Sequence, residues 1–180
     1  MNVALETCTL SIHRWSSTEA ARTAWPGVIM LNEETPPGEV VYELRKFGEA
    51  PSTGNGRVVG FQMADSLQPL TVLGTMFGSL IWLGGNDQAL GLSADLEVQV
   101  RVDLRSQFSY FHLHAATSQL VIVAEVAICA VSSSGVLAWR HDLDLITALE
   151  WSDAHVLVEQ EGRPAVRIDV ATGSSQLILA

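Results

Sequence analysis

His112 and His114 stand two residues apart in a segment, Phe108 to His114, that reads as a β-strand, so both imidazoles point to the same face. Paired imidazoles on a strand are one way to begin a metal site, but a tetrahedral centre needs three or four ligands. His141, Asp142, Asp144, Asp153 and His155 are the candidates further along the chain. Nothing in the spacing holds them near the pair, and two histidines on a solvated strand face is the simpler reading. The carboxylates Asp142 and Asp144, and likewise Glu159 and Glu161, have the two-residue spacing from which an acid and base pair could be built. The same spacing is ordinary on the wet side of a sheet.

Other chemistries find less support. The chain has many serines but no Gly-x-Ser-x-Gly elbow. Gly54 to Gly60 misses the dinucleotide fingerprint by one residue and leads into a strand, where that fingerprint must open a helix. Cys8 and Cys129 lie far apart without the paired spacing of zinc or redox motifs and read as buried thiols. No catalytic residue and no cofactor is implied.

Charge is more informative. Twenty acids against ten bases give a net charge of −10, which argues against nucleic acid as a partner. Residues 1–60 hold seven acids and five bases; residues 61–180 hold thirteen and five. From Asp142 to Glu161 there are six acids, Asp142, Asp144, Glu150, Asp153, Glu159 and Glu161, with no Lys or Arg, and Trp151 is embedded among them. An aromatic anchor among like charges is the composition of a docking face for a basic protein.

A chain of 180 residues with 48% hydrophobic content fits a single globular domain, 1–180. Met1 to His13 lacks the basic start and apolar stretch of an export signal, so a cytoplasmic location is expected. The uncharged run Ser66 to Asn86 contains four glycines and lacks basic flanks, and it reads as buried core, not a membrane span. The expected class is mainly β, with antiparallel sheets arranged as a sandwich or propeller-blade-like meander.

Residues 1–93 read as a mixed α/β part. Ser16 with Glu19 has capping-box spacing, predicting a short helix over 16–24 that Trp25-Pro26-Gly27 stops. Leu70, Leu73, Phe77, Leu80 and Ile81 lie on one helical face, predicting a second helix over 69–83, against the alternative of two strands broken at Gly74 or Gly78. Gly48 to Arg57 should be the most mobile internal loop. Residues 94–180 read as an antiparallel β meander. Leu96, Val98, Val100, Val102 and Leu104 alternate with Glu97, Gln99, Arg101 and Asp103, placing the apolar side chains on one face. Short strands follow at Phe108–His114, Leu120–Val126, Ala127–Val131, Val136–Arg140, Val156–Glu159, Ala165–Val170 and Gln176–Leu179.

Within that meander Gly135 and Gly173 occupy corresponding turns 38 residues apart, close to the period of a propeller blade. Asp169-Val170-Ala171-Thr172-Gly173 and the pair Trp139-Arg140 resemble the turn and following strand of quinoprotein-type β-propeller repeats. The first copy has Ser134 in place of the threonine and no matching aspartate, and only that copy has the Trp-Arg pair. The resemblance covers about Phe111 to Leu179 and implies two blade-like repeats. The quinone-dependent activity of some such proteins does not carry over, because no cofactor residue can be matched. These readings converge on a non-catalytic protein that binds a basic protein partner, such as an inhibitor or immunity protein for a toxin. A metal-dependent enzyme centred on His112 and His114, or a structural β module of a larger assembly, are the alternatives.

Overall fold

The computed structural model describes residues 2–4, 9–32, 40–47, 58–64 and 69–179. Cys8 and the loop Gly48–Arg57 lie outside the described residues. The chain divides into two compact units, residues 1–86 with 90–99, and residues 87–89 with 100–180.

The first unit is built on a five-stranded sheet of β1 (Asn2–Ala4), β2 (Thr9–Trp15), β3 (Ile29–Met30), β4 (Val40–Phe47) and β5 (Val58–Met63), in the order β1-β2-β4-β5-β3. All its pairings are antiparallel except β3 with β5. Alternation in β4 sends Tyr42 and Leu44 to the unit's core with Leu10, Val59, Phe61, Leu83 and Leu92. Between β2 and β3 lies α1 (Thr18–Ala24), the only helix among the described residues. Its N-cap is Ser17, whose hydroxyl accepts from the Ala20 amide at 3.1 Å, so the cap lies one residue later than the Ser16 expected from the Ser16/Glu19 spacing.

A second helix does not form over 69–83. That stretch holds β6 (Thr71–Val72) and the start of β7 (Ile81–Gly85). The reason is a two-residue reversal between them: Gly78 and Ser79 both have positive φ, +61° and +63°, and Phe77 and Leu80 exchange backbone hydrogen bonds at 3.0 and 3.1 Å across them. Two successive left-handed residues make a primed hairpin turn, which overrides the helical spacing of the leucines. With β8 (Gln88–Leu92) and β9 (Val98–Asp103) these strands form a four-stranded sheet in chain order. Every residue of β7 and β8 is buried. The alternation predicted from Leu96 is only partly used: Val102 and Leu104 are buried, Val98 is exposed, and Leu96 sits in a tight turn at φ +59°.

Two further four-stranded meanders follow in chain order within the second unit. One comprises β10 (Phe108–His114), β11 (Gln119–Ala124), β12 (Ala127–Val131) and β13 (Leu137–Asp142). The other comprises β14 (Ile146–Trp151), β15 (His155–Gln160), β16 (Arg163–Asp169) and β17 (Ser175–Ile178). Four-stranded antiparallel sheets strung in series are the unit of a propeller, and the described residues carry three of them. One apolar cluster joins the last two sheets: Val121, Val123, Ile128, Ala130 and Trp139 meet Val156, Val158, Val166, Ile168 and Val170.

The motif residues explain the junction. Asp169 Oδ1 accepts from both the amide and the hydroxyl of Thr172 at 2.8 Å, and the Gly173 amide closes the turn onto the Asp169 carbonyl. Gly173 has φ +72°, and the Trp139 ring lies against it, with Trp139 Nε1 donating to the Val170 carbonyl at 2.8 Å. A Cβ at Gly173 would stand 2.4 Å from Trp139 Cβ and Cγ. Gly173→Ala is therefore expected to cost about 2–5 kcal/mol from strained φ plus overpacking. Gly162→Ala, at φ +65° with open space around it, should lose only the backbone part, about 1–2 kcal/mol. Urea unfolding of both variants checks the difference, and equal losses would show that the tryptophan contact contributes nothing.

Candidate functional site

The residues singled out for chemistry lie in the second unit, and the two histidines of β10 meet Trp151 where β10 and β14 approach each other. His112 and His114 face the junction, with ring centroids 6.0 Å apart. His114 is buried, and both its nitrogens are taken: Nε2 lies 3.0 Å from the Ser152 carbonyl and Nδ1 2.9 Å from the Thr117 hydroxyl. A carbonyl only accepts, so Nε2 carries the proton and Nδ1 receives the threonine hydrogen, leaving no lone pair for a metal. His112 stacks flat on Trp151 at 3.8 Å and 14°. Burial, with the nearby His114 second, holds its pKa below the ordinary 6.5. His141 is engaged at 2.7 Å by the Gly173 carbonyl. Among the described residues no three His, Cys, Asp or Glu side chains are grouped as metal ligands.

The acidic stretch is distributed around its sheet. Glu150 lies opposite Leu157, and Glu159 opposite Ala148, so both carboxylates stand exposed on the face turned away from Leu149, Val156 and Val158. Asp153 is in the β14–β15 turn. Glu161 is in the β15–β16 turn at the other end of the strands, about 20 Å away by strand rise. Its amide bonds the Leu145 carbonyl, which brings it beside the loop that carries Asp144. Two of the six acids are met by arginines of the same chain: Asp142 by Arg140 and Asp144 by Arg163, each at 2.7 Å. Glu150, Asp153, Glu159 and Glu161 have no ion pair among the described residues. Trp151 does not stand with them. It is half-buried on the opposite side of the sheet, packed against the apolar cluster and His112, with Nε1 directed to the Tyr110 hydroxyl at 3.4 Å.

A shallow depression of about 260 Å³ opens on the last sheet, lined by His155, Arg167, Asp169, Ser174, Ser175 and Gln176. It is smaller than the usual small-molecule site, and the residues lining it are all polar or charged. Cys129 is buried, and burial pushes its thiol up to about 12, so it is not a nucleophile at neutral pH.

One polar centre had no signal in the sequence. Glu43, 1% exposed, shares a face of β4 with Val41 and Arg45. It accepts from Trp15 Nε1 at 2.7 Å and pairs with Arg45, whose guanidinium also lies 3.9 Å over the Trp25 ring. Every contact the structure gives it is internal, as expected for a buried carboxylate that must be paired.

No protein-family model and no curated protein matches the chain. Among solved structures it is similar to HIRA(644-1017), with 8% identity and TM-score 0.49, covering 97% of this chain and 51% of that one. The WD40 β-propeller domain of Doa1 gives 7% identity and TM-score 0.41, covering 82% and 52%. BamB from Moraxella catarrhalis gives 15% identity and TM-score 0.45, covering 83% and 48%. The chain thus spans about half the length of each. The blade description rests on the strand order of this chain.

The His112 environment gives a direct test. An NMR titration should place its pKa below 6.5, and folded stability should fall as pH drops through that value, because the unfolded chain binds the proton more readily. His112→Phe should keep the stack and remove that part of the pH dependence. A His112 pKa above 6.5 would show that attraction of the imidazolium to the indole face outweighs burial.

Proposed function

We propose that this chain is a non-catalytic binding protein that docks a basic protein partner on the open face and turns of its last sheet, in the cytosol. Glu150, Glu159, Asp153 and Glu161 supply the charge. An inhibitor or immunity protein that covers a basic toxin enzyme is the partner class that fits the size, the charge and the lack of a catalytic constellation. A blade-like β architecture suits interaction and scaffolding, since it presents rigid faces and edges without needing a deep cleft. The observation that carries the proposal is that these four carboxylates are exposed and without ion pairs among the described residues, on a sheet whose other face is sealed against its neighbour. Unneutralised carboxylates in that position raise encounter rates with a cation and orient it, whereas pairs such as Asp142–Arg140 are already compensated. The metal-centred alternative gains nothing from His114, whose ring nitrogens are both engaged.

The test begins with partner capture from the native host, followed by binding kinetics with the purified partner. Glu150→Gln with Glu159→Gln should slow association by about tenfold at low salt while changing dissociation little. Raising salt from about 0.05 to 0.5 M should weaken wild-type binding and narrow the gap between the two proteins. Recovery of no basic partner, or binding that is insensitive to salt, would remove the proposal.

A further inference from the structure

The last strand presents an unusual edge. β9 and β13, the final strands of the two preceding sheets, carry Arg101 with Asp103 and Arg140 with Asp142, charges of the kind that discourage a foreign strand from adding on. β17 reads Ser175-Gln176-Leu177-Ile178, without charge or proline. Among the described residues it pairs only with β16. Leu177 and the adjoining Leu179 are 58% and 80% exposed.

The hydrogen-bond phase of this edge can be read from its turn. The Asp169 amide donates to the Ser174 carbonyl at 2.8 Å, so the next pair, Ile168 with Ser175, is not hydrogen-bonded, nor is Val166 with Leu177. The amides and carbonyls of Ser175 and Leu177 therefore point away from β16, and the alternation continues to Leu179. An antiparallel copy of the same strand, centred on Leu177, sets Leu177 against Leu177 and Ser175 against Leu179. Every outward group then meets an outward group. Residues two apart share a face, so Leu177 and Leu179 of both copies come together on one side of the seam.

We infer that β17 is a self-pairing edge through which two copies of this chain join antiparallel about Leu177, making one eight-stranded sheet from two four-stranded ones. The acidic excess does not oppose it. β16, next to the seam, carries Arg163, Arg167 and Asp169. Glu159 and Glu150 lie two and three strands in, about 10 and 14 Å away, beyond the screening length of about 8 Å at physiological salt.

Light scattering and sedimentation of the full chain, from about 1 to 200 μM, test this. Wild type should move from one to two chain masses and remain dimeric in about 0.5 M salt, since the seam is apolar and backbone-mediated. Leu177→Pro removes one outward donor at an edge position where proline is tolerated, and should leave a folded monomer. Leu177→Lys with Leu179→Lys keeps the backbone intact and should also give a monomer. Amide exchange at Ser175 and Leu177 should slow by at least about tenfold on concentration. A monomer at every concentration, a dimer that both variants leave intact, or a dimer that salt dissolves would each overturn the inference. None of these results depends on a basic partner being found.

Discussion

The arrangement of the second unit depends on one contact, the Trp139 indole laid over the turn that ends at Gly173. The ring fills the space a side chain at Gly173 would need, and its N–H satisfies the Val170 carbonyl, an acceptor that would otherwise be buried without a partner. The turn can offer that flat surface only because Asp169 and Thr172 hold it in shape and Gly173 adopts a left-handed backbone. On the opposite face of the same strand, Arg140 bonds the carbonyls of Asp103 and Leu104 and the carboxylate of Asp142. Two adjacent residues of β13 thus reach in opposite directions, one toward the last sheet and one toward the end of β9. A Trp-Arg pair on a strand does this by alternation alone.

Within the second unit, burial is greatest in β11 and β12 and lower in the sheet that follows. Every residue of β12, and every residue of β11 after Gln119, is buried, whereas β15 and β16 alternate between buried and open. A sheet covered on both faces must be apolar throughout, and a sheet covered on one face can carry charge on the other. Glu150 and Glu159 accordingly stand on the open face of β14 and β15, where water can solvate them without cost to the core.

Much of this was legible in the residues. Short strand-like runs separated by turn residues located β10, β12, β13, β15 and β16 to within a residue or two, and the 38-residue spacing of Gly135 and Gly173 marked the repeated turns. What escaped has physical causes. β14 was missed because Ile146-Thr147-Ala148-Leu149-Glu150-Trp151 offers little alternation, its burial coming from the neighbouring sheet. Residues 69–83 have helical leucine spacing, but the Gly78-Ser79 turn decides their conformation, and a serine at positive φ has no sequence mark. The side on which Trp151 lies followed from the register with β15, and a register is a property of two strands, invisible in one.

Most of the candidate side chains at the junction are committed within the chain. His114, His141, Trp139, Asp169 and Thr172 all have polar atoms engaged within the chain, and His112 and Trp151 cover each other. A side chain that holds two sheets in register must be rigid and satisfied, whereas a proton shuttle or metal ligand must keep a lone pair or a proton available. Those demands conflict at a single imidazole with both nitrogens bonded. The groups that remain free among the candidates are carboxylates facing water and the backbone of an uncharged edge, and it is on these that both proposals rest.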